Sequence, residues 1–186
     1  AGSGLHIHSS LVDTDSEANL FWDAGADRPS ELYRHFLGGL LALCRELFVL
    51  YAPNVNSYKR YCAETFAPTR IAWGRENRTA GYRIVGHKQA FRVENRLPGA
   101  DANPYLVMAT VLAGIHYGIT NQLKPQPPVV GDGYATEGGI ELPIRWPVAL
   151  AAFDESNFLD DYLGEKWCDA FLAARSFEAE NHHFTI

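Results

Sequence analysis

The sequence predicts an α+β fold in which helices pack on one side of a largely antiparallel sheet. Three observations point there: a strand-like segment opens the chain, a long apolar-periodic helix and several short strands follow, and the last part is helical again.

Residues 5–12 form the first predicted strand, because Leu5 and Ile7 share one face while His6, His8 and Ser10 share the other. Residues 13–29 are acidic and rich in Gly and Asp around the apolar island Leu20-Phe21-Trp22, and are expected to form a structured loop. From the N-cap Ser30 to about residue 51, Tyr33, Phe36, Leu37, Leu40, Leu41, Cys44, Leu47 and Phe48 recur at helical spacing, which predicts one helix of about six turns. The run Pro53-Asn54-Val55-Asn56-Ser57 ends it. Short strands are predicted at 70–73, 82–85 and 91–97, between loops carrying Gly74, Gly81 and Gly86. Asn103 followed by Pro104 supplies a cap and a proline at the first helical position, opening a helix to about residue 121. Residues 124–147 hold five of the ten prolines and four glycines, so an irregular excursion is expected there. Residues 148–179 read as two or three short amphipathic helices carrying Leu150, Phe153, Phe158, Leu163, Trp167, Phe171 and Leu172.

Composition bounds the function. A length of 186 residues, 47% hydrophobic and 20% charged, fits one ordinary domain with its own core and excludes a disordered tail, a collagenous repeat and a disulfide-stapled miniprotein. No apolar run reaches the roughly 18 residues of a membrane helix, and no basic stretch leads into an apolar one at the N-terminus. Cys44, Cys62 and Cys168 are odd in number and far apart, which offers no disulfide framework and no CxxC motif and predicts a reducing, cytoplasmic setting. The chain opens without Met and runs directly into strand-like sequence, so it is expected to be a piece of something longer.

The net charge of −6 argues against a nucleic-acid partner unless cations are concentrated somewhere. They are: residues 58–96 carry nine Lys and Arg against three Glu, a net +6, leaving −12 for the rest. Seven of the nine are Arg, whose planar fork suits carboxylate and phosphate, so the segment reads either as a wall for a small polyanion or as a solvated basic face paired to the acidic remainder. Within it, Arg92, Glu94 and Arg96 alternate onto one strand face. They form either a surface ladder or, since Gly99 to Pro104 turns the strand straight into an apolar helix, the charged face of a central strand beside a polar cavity. His6 and His8 project to one side of their strand, where they either ligate a divalent metal, touch phosphate or are structural. His182 and His183 diverge and are assigned nothing. Gly2-Ser3-Gly4 precedes a strand rather than a helix, so it is not a phosphate-cradling loop.

Four segments together resemble the glutamine synthetase family: Gly2-Ser3-Gly4-Leu5-His6-Ile7-His8-Ser9-Ser10-Leu11, Asn56-Ser57-Tyr58-Lys59-Arg60, Asn77-Arg78-Thr79-Ala80-Gly81-Tyr82-Arg83, and the run from Arg92 through Asn103-Pro104 to Leu106. They stand in the family's order and near its spacing, covering residues 1 to about 120 well. The resemblance implies the C-terminal portion of a glutamine synthetase-type catalytic domain, with the N-terminal domain and further carboxylate ligands upstream, and active sites between subunits of a homo-oligomeric ring. It implies ATP-dependent formation of a γ-glutamyl amide, assisted by Mg2+ or Mn2+. Carried over by motif, His6 and Glu94 share a metal ion. His8 and Ser10 contact ATP. Arg78 and Arg83 hold the phosphates and the transferring group as catalytic residues, with Arg92 assisting, and Gly2, Arg60 and Arg96 bind glutamate.

The sequence departs from the family pattern in three places. Phe66 stands in Thr65-Phe66-Ala67-Pro68 where ammonia-using members carry a flap glutamate; an apolar ring cannot draw ammonium but suits the carbon chain of an amine, unless it merely packs its loop. Ala1 replaces the usual Asn. The 83–92 loop is short, so no ATP role passes to Lys88. Tyr134 lies in a region where bacterial members are adenylylated, but its surroundings do not match that motif. The expected function is therefore a γ-glutamyl-amine ligase, with an ammonia-using glutamine synthetase and a non-catalytic family member as alternatives.

Overall fold

A computed structural model describes residues 2–135 and 140–182; Ala1 and His183, both singled out in the sequence, lie outside them. Strand β1 (Ile7–Ser9) is followed by a small hairpin, β2 (Trp22–Asp23) and β3 (Arg28–Pro29), then helices α1 (Glu31–Ala42) and α2 (Phe48–Tyr51) and a 3-10 turn at Val55–Arg60. Next come β4 (Arg70–Ile71), β5 (Trp73–Arg75), β6 (Tyr82–Val85), a second 3-10 turn at Lys88–Ala90, and β7 (Arg92–Asn95). Helix α3 (Pro104–Thr120), β8 (Ile140–Glu141), and helices α4 (Trp146–Asp154), α5 (Leu159–Leu163) and α6 (Glu165–His182) complete the chain.

The main sheet runs β1-β7-β6-β5. Its first two pairings are antiparallel and the third, β5 with β6, is parallel. Parallel neighbours usually need a long crossover, whereas here only residues 76–81 intervene, so the link folds back across β5 itself. Gly74 permits this: a Cβ there would lie 2.9 Å from both Asn77 Cβ and the Val129 carbonyl oxygen. Alternation then gives the sheet two faces. Tyr82, Ile84 and Val93 are buried in the same core as Phe36, Leu37 and Leu40 of α1 and Val107 and Val111 of α3, with the Tyr82 hydroxyl donating to the Leu40 carbonyl at 2.9 Å. His8, Arg83, Arg92 and Glu94 point the other way.

The helix caps fall where the sequence placed them: the Ser30 hydroxyl accepts from the Tyr33 amide and Asn103 from the Tyr105 amide, with Pro104 in the first turn. The single helix predicted over 30–51 is instead two. Residues 43–47 turn between α1 and α2, and because Leu43, Cys44 and Leu47 stay buried through the turn, the apolar spacing does not register the break. The loop predicted at 13–29 contains the β2–β3 hairpin, and the excursion at 124–147 contains β8, which pairs antiparallel with β4. The strand predicted at 70–73 is divided between β4 and β5, which belong to different sheets. The three C-terminal helices begin at Trp146, and the last is long rather than short.

Helices α1 and α3 approach until backbone meets backbone. A Cβ at Gly39 would sit 2.0 Å from the Gly114 carbonyl oxygen and 2.6 Å from Gly118 Cα. Gly39→Ala is therefore expected to cost about 3 kcal/mol or more in urea unfolding, whereas Gly25→Ala, whose nearest neighbour is a side-chain oxygen at 3.5 Å, leaves the midpoint near that of the parent.

Candidate active site

Pairing register assembles the site. His8 on β1 lies directly opposite Glu94 on β7, and Glu94 opposite Arg83 on β6. Glu94 is only 3% exposed, yet it is not an unpaired charge. Arg83 Nη1 donates to Oε2 at 3.1 Å, Arg96 Nη1 to Oε1 at 2.9 Å, and His6 Nδ1 lies 3.0 Å from Oε1. Burial works to raise the Glu94 pKa, but the Arg96 charge and the Arg83 and Arg96 hydrogen bonds prevail and hold it below the usual carboxylate range. Burial lowers the His6 pKa and Arg96 adds to this against the pull of Glu94, so His6 is neutral near pH 7, the form that binds metal.

The arginines differ in availability. Arg83 bridges Glu94 to Glu76, whose carboxylate accepts its Nη2 at 2.5 Å. Arg92 Nε donates to His8 Nδ1 at 3.1 Å and its Nη1 to the Ala90 carbonyl at 2.9 Å. Arg96 is buried and also reaches the Phe66 carbonyl at 3.3 Å. Arg60 is buried too, its guanidinium donating to the Leu97 carbonyl and lying over the Tyr61 ring at 4.6 Å. The Nε atoms of Arg60, Arg83 and Arg96 are buried without a partner. Ser10 is exposed beyond the end of β1, on the same alternation as His6 and His8.

Two cavities open at this face. The larger, about 760 Å³, is lined by Phe66, Arg75, Glu76, Arg78, Thr79 and Arg83 together with residues 128–131. Arg78 is exposed there, and Phe66 is 62% exposed, so its ring does not pack the loop that carries it. Glu64 and Phe66 both have left-handed backbone, φ 65° and 57°, a conformation that costs a side-chain-bearing residue about 1–2 kcal/mol. The smaller, about 400 Å³, brings Gly2 and Arg60 together with Ser57 and Asp101, while Arg96 is not in its lining. The Asp101 carboxylate accepts from Ser57 Oγ at 2.5 Å and Asn54 Nδ2 at 3.3 Å.

Sequence reasoning passed over several residues that shape the larger cavity. Asn77, the first residue of the Asn77–Arg83 motif, accepts from the Thr79 amide and hydroxyl and donates to the Gly131 carbonyl at 2.9 Å. Thr79 Oγ1 accepts from the Gly133 amide at 2.8 Å, and the Tyr134 hydroxyl donates to the Ala67 carbonyl at 3.0 Å. Glu76, which holds Arg83, stands just outside the Asn77–Arg83 motif, and Asp101, which faces Arg60's cavity, lies inside the Arg92–Leu106 run with no role attached to it.

For a divalent ion the residues to consider are His6 and Glu94. A carboxylate has about four acceptor positions; the contacts from Arg83, Arg96 and His6 leave Glu94 room for one more, with His6 Nδ1 3.0 Å from its Oε1. The described residues gather no group of three or more His, Cys, Asp or Glu suited to a metal ion, and His6 with Glu94 is the pair that could hold one.

All of residues 1–186 match the family model described as glutamine synthetase, catalytic domain. The chain is 44% identical over 180 residues to the gamma-glutamylputrescine synthetase PuuA of Escherichia coli (strain K12), covering 96% of itself and 37% of that protein. It is 35% identical over 194 residues to a glutamine synthetase of Thermus thermophilus, covering 100% and 43%. A solved GmaS/ADP complex superposes with a TM-score of 0.88 at 32% identity, over 100% of this chain and 44% of that one. The chain thus spans less than half the length of each.

Replacing Glu94 by Gln leaves buried Arg96 without its carboxylate partner and Arg83 with Glu76 alone, and is expected to cost about 3 kcal/mol. Because the folded-state pKa is depressed, the stability Glu94 supplies is complete above the ordinary value of 4.5 and is lost as pH falls through the lower folded value. Denaturation measured below pH 4.5 is expected to have a shallower acid slope in Glu94→Gln than in the parent.

Proposed function

The chain belongs to the glutamine synthetase family, to its catalytic domain, and from that footing we propose that the protein containing it is an ATP-dependent ligase joining glutamate to an amine through a γ-glutamyl phosphate. The observation that carries this reading is the row His8, Glu94, Arg83 across three strands, at the edge of a cavity lined by Arg75, Arg78 and Phe66. Phosphoryl transfer depends on positioned positive charge more than on covalent help, and that wall supplies it.

In this proposal Arg78 and Arg83 meet the phosphates and the migrating phosphoryl group, with Arg92 assisting, and His8 and Ser10 bind the nucleotide. Arg83 is oriented for this by Glu76 and Glu94, which hold two of its nitrogens and fix the fork. Gly2 and Arg60 receive glutamate in the smaller cavity. Arg96, tied to Glu94 and to the Phe66 carbonyl, positions the glutamate side chain and the flap together. His6 and Glu94 would hold Mg2+ or Mn2+, which when bound neutralises phosphate charge. Attack of the amine nitrogen on the acyl phosphate forms the amide and expels phosphate, with the excess proton leaving the nitrogen.

Phe66 gives the amine its class. Exposed at the cavity, it offers apolar surface to a carbon chain and no charge to ammonium. The 44% identity to a gamma-glutamylputrescine synthetase, above the 35% to a glutamine synthetase, supports an organic amine. We place the remaining metal ligands and the N-terminal domain in parts of the protein outside this chain. We also propose a homo-oligomeric ring with sites shared between subunits; the exposed stripe Tyr105, Met108 and Leu112 on α3 supports a covered face. The unpaired thiols Cys44, Cys62 and Cys168 support a reducing cytoplasm.

Phosphate release by the full-length protein, with ATP, glutamate and a panel of amines, tests the reading: a preference for ammonium over every organic amine would overturn the amine assignment. Arg83→Gln is expected to lower kcat by about 100-fold or more, and Phe66→Glu to shift preference toward ammonium. The isolated 186-residue chain is expected to show no turnover in the same assay, since His6 and Glu94 alone do not complete a metal site.

A further inference from the structure

On the opposite side of β5 and β6 from Arg83 lies a separate cavity of about 510 Å³. Its floor is apolar: Tyr33, Ile84 and Phe91 are buried and Trp73 is half-buried. Tyr33 meets Phe91 at 4.9 Å and Trp73 at 6.5 Å between ring centroids, both edge to face, making an aromatic corner. The rim is cationic. Arg28, Arg34, Arg75 and Lys124 are exposed around it, and no Asp or Glu is in its lining, in a chain whose net charge is −6. Arg34 is held only loosely, 3.6 Å from Glu31 with both side chains more than half exposed.

The wall is fixed in place. Trp73 Nε1 donates to the Gln126 carbonyl at 2.6 Å, Gln126 Nε2 to the Ile71 carbonyl at 2.9 Å, and the Val129 amide to the Trp73 carbonyl at 2.8 Å. The proline-rich segment 125–128 is thereby pinned along one side. Proline fixes its own φ, so the cavity is largely formed before anything enters it.

An aromatic floor beneath a rim of guanidinium and ammonium groups selects for two properties at once. An inorganic anion has no surface to bury against the rings, and a neutral ring leaves the rim without a countercharge. We propose that this cavity binds a small aromatic carboxylate, its ring in the Tyr33, Trp73 and Phe91 corner and its carboxylate at Arg34, Arg75 and Lys124. Arg75 and Pro128 line both this cavity and the larger one at the active face. A carboxylate that engages Arg75 withdraws positive charge from the phosphate-binding wall, so occupancy here weakens nucleotide binding there. That coupling rests on the ligase reading; the binding does not.

The test uses the full-length protein and 4-fluorophenylacetate, followed by ligand-observed fluorine NMR. Expected are saturable binding, affinity about tenfold weaker for the neutral 4-fluorophenylacetamide, and no displacement by inorganic phosphate. The double variant Arg34→Gln with Lys124→Gln is expected to weaken binding about tenfold while ligase turnover without the acid stays at the parent's level. Arg78→Gln leaves binding unchanged. Equal affinity for the amide, parent-like binding by the double variant, or loss of binding in Arg78→Gln would each overturn the site. In the ligase assay the acid is expected to raise the KM for ATP in the parent and not in the double variant; an unchanged KM in the parent, with binding intact, overturns the coupling alone. A protein without ligase activity that still binds the acid as described would refute the function and leave the site standing.

Discussion

One buried carboxylate organises this molecule's working face. Glu94 sits in the middle strand of β1-β7-β6 and is shared by Arg83 from β6, His6 from the residue just before β1 and Arg96 from the residue just after β7. An unpaired acid at 3% exposure would be costly, and so would two unpaired arginines; with Glu76 also on Arg83, two carboxylates balance two guanidiniums. The result is directional as well as neutral. Each arginine has part of its fork committed to Glu94 and the rest aimed elsewhere, Arg83 toward Glu76 and the larger cavity, Arg96 toward the Phe66 carbonyl.

This arrangement demands a sheet whose register cannot slip. A one-residue shift would send Glu94 into the apolar core and Val93 into the site. The opposite face prevents it, because Tyr82, Ile84 and Val93 are packed under α1 and α3, and those helices are locked by the Gly39 and Gly118 backbone contact. The helices, packed on the apolar face of the sheet, thus keep the geometry of the charged face in place through the pleat.

Much of this was legible in the sequence, for a physical reason. Alternation in Arg92 to Arg96 and His6 to Ser10 is a local property of extended chain, so the residues sharing a face could be read directly. The caps at Ser30 and Asn103 were equally local. What alternation does not carry is what each group meets. Nothing in the spacing of Arg60 distinguishes a guanidinium open to a ligand from one laid over Tyr61 and bonded to the Leu97 carbonyl. The break at 43–47 was hidden because the turn is as buried as the helices it joins, and β2, β3 and β8 are too short for periodicity to show. Glu76 and Tyr134 matter through partners distant in the chain or across a loop, and a single sequence does not announce such pairs.

The hydrogen bonds around the larger cavity link three loops that the chain visits separately. Asn77 holds the Gly131 carbonyl, Thr79 the Gly133 amide and Tyr134 the Ala67 carbonyl. The mouth is therefore closed into a hoop, in which the segment bearing Phe66 and the segment bearing Arg78 keep a set distance from each other. A visitor to such an opening meets walls whose freedom was already surrendered when the chain folded, so less ordering remains to be done on arrival. The spacing of Phe66 and Arg78 is thus set by bonds between loops and not by the ligand that enters.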